Sequence, residues 1–268
     1  MTSRGGHPVY YEVHGDGPRT ALCMGGWGTF CHGGTAEVPR LLTRRFRVVV
    51  FDYRGIGDTP RTTGPLTTAL LAADAAAVLD EVGTGPVDVV GLVGLGACVG
   101  QELALGRPDL VASLVMTGTW AAVDPTFADQ LELFRQVHQG LGFAAFQTLC
   151  AAYSFDPDFY AHNRDRVLGP AGAWAALRGR PEAHGDLVRA CLAHDTRDRL
   201  HRITVPTLVL HAGADVITAP RLTRPLEHGI PGARGVLWPD LAHIIAGREQ
   251  RARFDDLLSD FYGLGSAT

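Results

Sequence analysis

The 268-residue chain reads as an α/β protein, a mostly parallel, doubly wound sheet with a helical insertion. Three observations predict this. Short, dense apolar runs alternate with helical patterns along most of the chain. The inner runs lack polar alternation, as expected of strands buried on both faces. Residues from about 120 to 202 break that rhythm and read as helices alone.

In order, residues 7–13 alternate as an edge strand, and 20–24, 46–51, 87–93 and 114–117 suit central strands. Residues 68–82 form an alanine-rich helix, and 97–105 begin another. Near the C-terminus, 207–211 and 234–237 give two more strands, and 249–261 an amphipathic closing helix. The insertion, about 120–202, lies between a strand ending near 118 and one starting near 205. It is rich in aromatics and punctuated by Pro125, Pro157, Pro170 and Pro181, which makes it a candidate lid. With no linker, low-complexity tract or repeat, residues 1–268 are expected to form one domain.

Composition narrows the chemistry. A net charge of -4 without a basic run argues against nucleic acid. All 24 basic residues are arginine, so a lysine Schiff base, and with it standard pyridoxal-phosphate catalysis, is excluded. The N-terminal residues turn polar at once, and no later run is long enough to span a bilayer, so a cytoplasmic protein without membrane contact is expected. Cys23, Cys31, Cys98, Cys150 and Cys191 are odd in number, scattered and without a CxxC pair, which fits reduced, buried thiols. No His-x-x-x-His or His/carboxylate cluster suggests a metal site, and no cofactor is expected. Oligomeric state is not legible.

Four segments carry a resemblance. They are Leu22-Cys23-Met24-Gly25-Gly26-Trp27-Gly28-Thr29 after a strand, and Asp52-Tyr53-Arg54-Gly55-Ile56-Gly57-Asp58-Thr59. The third runs from Val87-Asp88-Val89-Val90-Gly91 into Gln101-Glu102-Leu103-Ala104, and the fourth is the pair Asp215 and His243. Together, over nearly the whole chain, they resemble the α/β-hydrolase fold superfamily, particularly its enol-lactonase branch. The lid exit, Ala193-His194-Asp195-Thr196-Arg197-Asp198-Arg199-Leu200, is similar to that branch too. The resemblance implies that Gly26, Trp27 and Leu95 are oxyanion or pocket residues, with Gly26 by position the first donor, and that Asp215 and His243 form an acid–base pair.

The family's nucleophile elbow, G-x-S-x-G, has no serine here. The stretch is Val90-Gly91-Leu92-Val93-Gly94-Leu95-Gly96-Ala97-Cys98. Counting forward from the strand puts Val93 at the nucleophile; counting back from Gln101-Glu102-Leu103 puts Gly94 there, and Gly94 is favoured because Gly96 then matches the last glycine. Neither side chain can attack a carbonyl. The elbow also explains Gly91, Gly94 and Gly96 better than a dinucleotide fingerprint, whose full spacing is absent. Cys98, one helical turn beyond Gly94, reads as a packing cysteine rather than a substitute nucleophile. His194 is assigned a local capping or pairing role, and His32, His138, His162 and His184 to surface or loop positions.

Three functions remain open. A His243–Asp215 base beside an oxyanion site can move a proton next to a carbonyl without a covalent intermediate, giving an epimerase, isomerase or lyase. That is what similarity to serine-less, non-hydrolytic members from actinobacterial peptide and polyketide pathways, which include a peptide epimerase, implies. Alternatively His243 activates water and the protein is a serine-independent hydrolase, or it only binds a ligand. In each case the expected partner is a small-molecule or peptide substrate under the lid.

Overall fold

The valine- and leucine-rich runs that lack polar alternation lie between two helical layers in the computed structural model, which describes residues 1–2 and 6–265. Seven strands, β1 (Tyr11–His14), β2 (Arg19–Met24), β3 (Phe46–Phe51), β4 (Val87–Gly91), β5 (Val111–Thr117), β6 (Thr207–Ala212) and β7 (Arg234–Trp238), form one sheet. Their order is β1-β3-β2-β4-β5-β6-β7, with β1 antiparallel to β3 and every other pair parallel.

Side-chain alternation divides the core. Leu22, Val49, Val89 and Leu114 face helices α2 (Thr68–Val82), α3 (Leu95–Gly106) and α8 (Pro220–Gly229). Ala21, Val48, Val50, Val90 and Val115 face α1 (Arg40–Arg45) and α9 (Gly247–Phe261). Helix α2 has the bounds read from the sequence because its ends are chemically marked. The Thr67 side chain accepts from the Leu70 N–H, and Gly83 closes the helix in the left-handed region.

Boundaries elsewhere move. The edge strand starts at Tyr11 rather than residue 7, and β4 stops at Gly91 rather than 93, because Leu92, Val93 and Gly94 turn the chain into α3. Helices α1 and α8 were not anticipated. The first has six residues, too few for a visible period, and the second carries Pro225 in its interior, which reads as a breaker.

Between β5 and β6 stand α4 (Pro125–Leu141), α5 (Phe143–Ser154), α6 (Pro157–Val167) and α7 (Pro181–Leu192). Pro125, Pro157 and Pro181 each start a helix, where the missing N–H costs nothing. Asp124 and Asp156 cap α4 and α6 through the N–H groups of Phe127 and Phe159. This helical insertion is tied down at several points. Arg221 pairs with Asp124, Arg199 grips Glu102 of α3 with two hydrogen bonds, and the Ile244 N–H donates to the Ser154 carbonyl at 3.0 Å.

His138 and His184, expected at the surface, are buried inside the insertion with Nδ1 atoms 3.0 Å apart, and His138 stacks on Phe146. One ring must donate and the other accept, so at least the accepting ring is neutral. Burial, helped by His138 and Arg135, pushes His184 down to about 3, and burial also lowers His138. A histidine held neutral in the fold but free to protonate when unfolded makes the unfolded chain bind more protons as pH falls. Stability should therefore drop from pH 6.5 towards about 3. Thermal unfolding across the upper part of that window should show a steeper decline for the native chain than for a variant with leucine at both positions. Equal slopes would mean that the pair titrates as it does in the unfolded chain.

Candidate active site

Every candidate group sits on a loop leaving the carboxyl end of a strand, where a doubly wound sheet opens. Gly26 and Trp27 follow β2, Val93 and Gly94 follow β4, Trp120 follows β5, Asp215 follows β6 and His243 follows β7. The adjacent parallel strands β6 and β7 bring together an acid and a histidine separated by 28 positions.

Asp215 is buried, and its carboxylate is fully used. Oδ1 accepts from the N–H groups of Ile217 (2.7 Å) and Thr218 (2.9 Å). Oδ2 accepts from the Thr218 hydroxyl (2.7 Å) and from His243 Nδ1 (2.9 Å). Burial alone would raise this carboxyl, but His243, Thr218 and the Ile217 N–H outweigh it and hold it below the ordinary value. An ionised carboxylate only accepts, so Nδ1 of His243 carries its proton and Nε2 presents a lone pair. Nε2 makes no hydrogen bond among the described residues. Gly118 lies under the ring: a Cβ there would stand 3.2 Å from His243 Cε1.

The elbow connection is strained. Val93 adopts φ 58°, rare for a β-branched residue, and Gly94 has φ 72° and ψ -105° immediately before α3. The Val93 N–H is held by the Thr117 hydroxyl at 3.1 Å. Gly96 packs against the β2 exit, where an added Cβ would lie 2.4 Å from the Met24 carbonyl oxygen. At Gly94 an added Cβ would meet the Trp120 ring at 3.3 Å, and at Gly26 it would lie 2.8 Å from the Val93 carbonyl oxygen. The backbone N–H groups of Trp27 and Leu95 make no hydrogen bond among the described residues, the latter because it opens a helix.

These groups surround a cavity of about 50 Å³ that is partly open to solvent. The sheet loops contribute Gly26, Trp27, Val93, Gly94, Leu95, Trp120, Ile217, Thr218 and His243. The insertion roofs it with Phe127, Leu131, Phe134, Cys150, Ser154 and Trp174. Six of the seven residues singled out as site candidates thus line one space, and the seventh, Asp215, lies behind it, bonded to His243. Cys150 and Ser154 were missed. They lie four apart on α5, one helical turn, a small-residue pair among aromatics that a face-by-face reading could have found.

Other candidates fall away. Cys98 is buried, does not line the cavity, and packs its Sγ 3.3 Å from the Thr119 hydroxyl, with its thiol pushed well above the ordinary value by burial. His194 is also buried but does not pair locally. Its Nδ1 meets the Thr68 hydroxyl at 2.9 Å and its Nε2 meets Gln101 at 3.3 Å, tying the insertion's exit to α2 and α3. His32 binds Asp52 through Nε2 at 2.7 Å, half exposed and outside the cavity. No helix among the described residues is long and apolar enough to cross a membrane.

The model of the α/β hydrolase fold family matches residues 22–247. The chain belongs to the α/β-hydrolase fold family. A relative from Azorhizobium caulinodans named "Putative carbamate hydrolase RutD" is 30% identical, with 84% of each chain covered. A solved hydrolase from Pseudomonas aeruginosa superposes with a TM-score of 0.84 at 28% identity over 99% of this chain and 97% of its own. The enol-lactonase of Burkholderia xenovorans shares the fold, with a TM-score of 0.85 at 23% identity over 97% and 98%. Relatives carry hydrolase names and, at 28% identity in Mycobacterium tuberculosis, the name "Putative non-heme bromoperoxidase BpoC"; none of these names speaks of epimerisation.

All five thiols of this α/β-hydrolase-fold protein are buried, and burial pushes Cys191 up to about 12. The native protein should therefore release little thionitrobenzoate from Ellman's reagent, and five equivalents after unfolding in guanidinium. Rapid native labelling mapped to Cys98 would restore it as a nucleophile candidate.

Proposed function

We propose that the protein hydrolyses a small carbonyl compound with His243 activating water directly, without an acyl-enzyme. One observation carries this reading: an imidazole held by buried Asp215, with Nε2 unbonded, shares a cavity with an elbow whose residues, Val93 and Gly94, bear no nucleophile. In the proposed step Nε2 takes a proton from water as the water oxygen bonds to the carbonyl carbon. The N–H groups of Trp27 and Leu95 receive the developing oxyanion. The imidazolium, stabilised by Asp215, then returns the proton to the leaving group as its bond to carbon breaks. Gly94 is taken as the position that holds serine in the family, since it directly precedes α3. The hydrolase names of the relatives and the small cavity support a compact ester, lactone or carbamate.

A second reading keeps the same base. His243 can instead remove a proton beside the carbonyl, the epimerase or isomerase chemistry to which the missing serine first pointed. The site geometry serves both, because each needs a base, an oxyanion site and no covalent bond to protein.

Turnover in H₂¹⁸O and D₂O separates them. Hydrolysis should place one ¹⁸O in the acid product with no protein adduct by intact mass. Deuterium at the α-carbon without cleavage would favour proton transfer, and an acyl adduct would overturn both. His243→Ala should lose activity by about a hundred- to ten-thousand-fold while staying folded. Asp215→Asn should also lose activity, because the amide cannot stabilise the imidazolium, and the double variant should be little worse than His243→Ala. Gly94→Ser should not create a working serine esterase, because the new side chain points at the Trp120 ring.

A further inference from the structure

Of the polar side chains that line the cavity, the Trp120 indole N–H has no partner among the described residues but can only donate. The Thr218 hydroxyl donates to Asp215 and lies 3.0 Å from His243 Nδ1. The Cys150 thiol is held protonated by burial and is a weak hydrogen-bonding group. Ser154 differs. The residue is 2% exposed, lines the cavity, and its hydroxyl makes no hydrogen bond to any described residue. A serine near a helix end ordinarily bonds back to the preceding turn, and Ser154 makes no such bond.

A second observation fixes its place. The Ser154 carbonyl accepts from the N–H of Ile244, the residue after His243, at 3.0 Å. The end of α5 is therefore held to the loop that carries the proposed base, and the free hydroxyl enters the same cavity from the lid. A hydroxyl without a protein partner that faces a mostly apolar cavity is available to a polar group of a bound ligand.

We infer that Ser154 binds the substrate, and that it selects a small carbonyl compound with an amino group on the carbonyl carbon, such as a carbamate or primary amide, over a plain ester. The inference rests on the reading that this cavity holds the substrate. The free N–H groups of Trp27 and Leu95 can only donate, so they suit the carbonyl oxygen. A hydroxyl both donates and accepts, so it suits the group that carries its own N–H. A site built to hydrogen-bond such a group discriminates strongly against the analogue that lacks it.

Binding tests this separately from turnover. Ethyl carbamate and ethyl acetate differ by NH₂ against CH₃ at nearly constant size. Each is titrated against His243→Ala protein, with quenching of the cavity tryptophans Trp27, Trp120 and Trp174 as the signal. Ethyl carbamate should bind about tenfold more tightly. Adding Ser154→Ala should bring the ratio close to one and leave the melting temperature unchanged or higher, because no hydrogen bond within the folded protein is lost. A ratio near one with Ser154 intact, a preference that survives Ser154→Ala, or saturable binding of neither probe would overturn the inference. Equal weakening of both probes would assign the hydroxyl to the shared ester group, and a lower melting temperature would assign it a structural role; either also overturns it. A preference that depends on Ser154 in a protein that hydrolyses nothing would leave this inference standing and remove the hydrolytic proposal instead.

Discussion

A buried carboxylate holding one nitrogen of an imidazole is the interaction on which the site depends. Asp215 lies beneath the cavity floor, and an unpaired ionised group there would be strongly destabilising. Four hydrogen bonds remove that cost, three of them from the turn that follows β6. The fourth comes from His243 and sets its tautomer, so that Nε2 presents a lone pair. The sheet supplies the alignment: β6 and β7 run parallel in register from Leu208 opposite Arg234 to Ala212 opposite Trp238, and both loops emerge side by side.

The turn at Val93 and Gly94 is strained and bears no nucleophilic side chain. Val93 and Gly94 both take positive φ, a conformation that persists only where the surroundings over-determine it. Here the Thr117 hydroxyl, the close packing of Gly96 on the β2 exit and the abutment of Gly26 on Val93 do so. The same packing leaves the N–H of Leu95 unbonded at the start of α3, beside that of Trp27 in the cavity wall. The backbone part of the machinery is thus independent of the side chain at the apex, where Trp120 occupies the space in front of Gly94.

The roof determines what can enter. At about 50 Å³ the cavity is far smaller than a drug-sized ligand site. Its attachments are polar: Asp124 to Arg221, Glu102 to Arg199, and Ser154 to Ile244. Its interior carries the hydrogen-bonded pair His138 and His184 against Phe146 and Trp27.

Central strands, the span of α2 and the pairing of Asp215 with His243 were legible because each is written locally. Unbroken apolar runs demand burial on both faces, Thr67 and Gly83 mark helix ends, and an acid and a histidine after successive strands meet wherever those strands are neighbours. The absence of a serine at the elbow was equally plain from residue identity. The register of the elbow was not, since strand and helix gave different counts. Only the turn, with both Val93 and Gly94 left-handed, accommodates the extra residue. Burial of His138 and His184, the reach of His194 to Gln101, and the presence of Cys150 and Ser154 at the cavity were decided by how the insertion folds over the sheet. A helix's own pattern says which residues share a face. Which face meets the cavity depends on contacts with segments more than a hundred residues away, and those exist only in the tertiary structure.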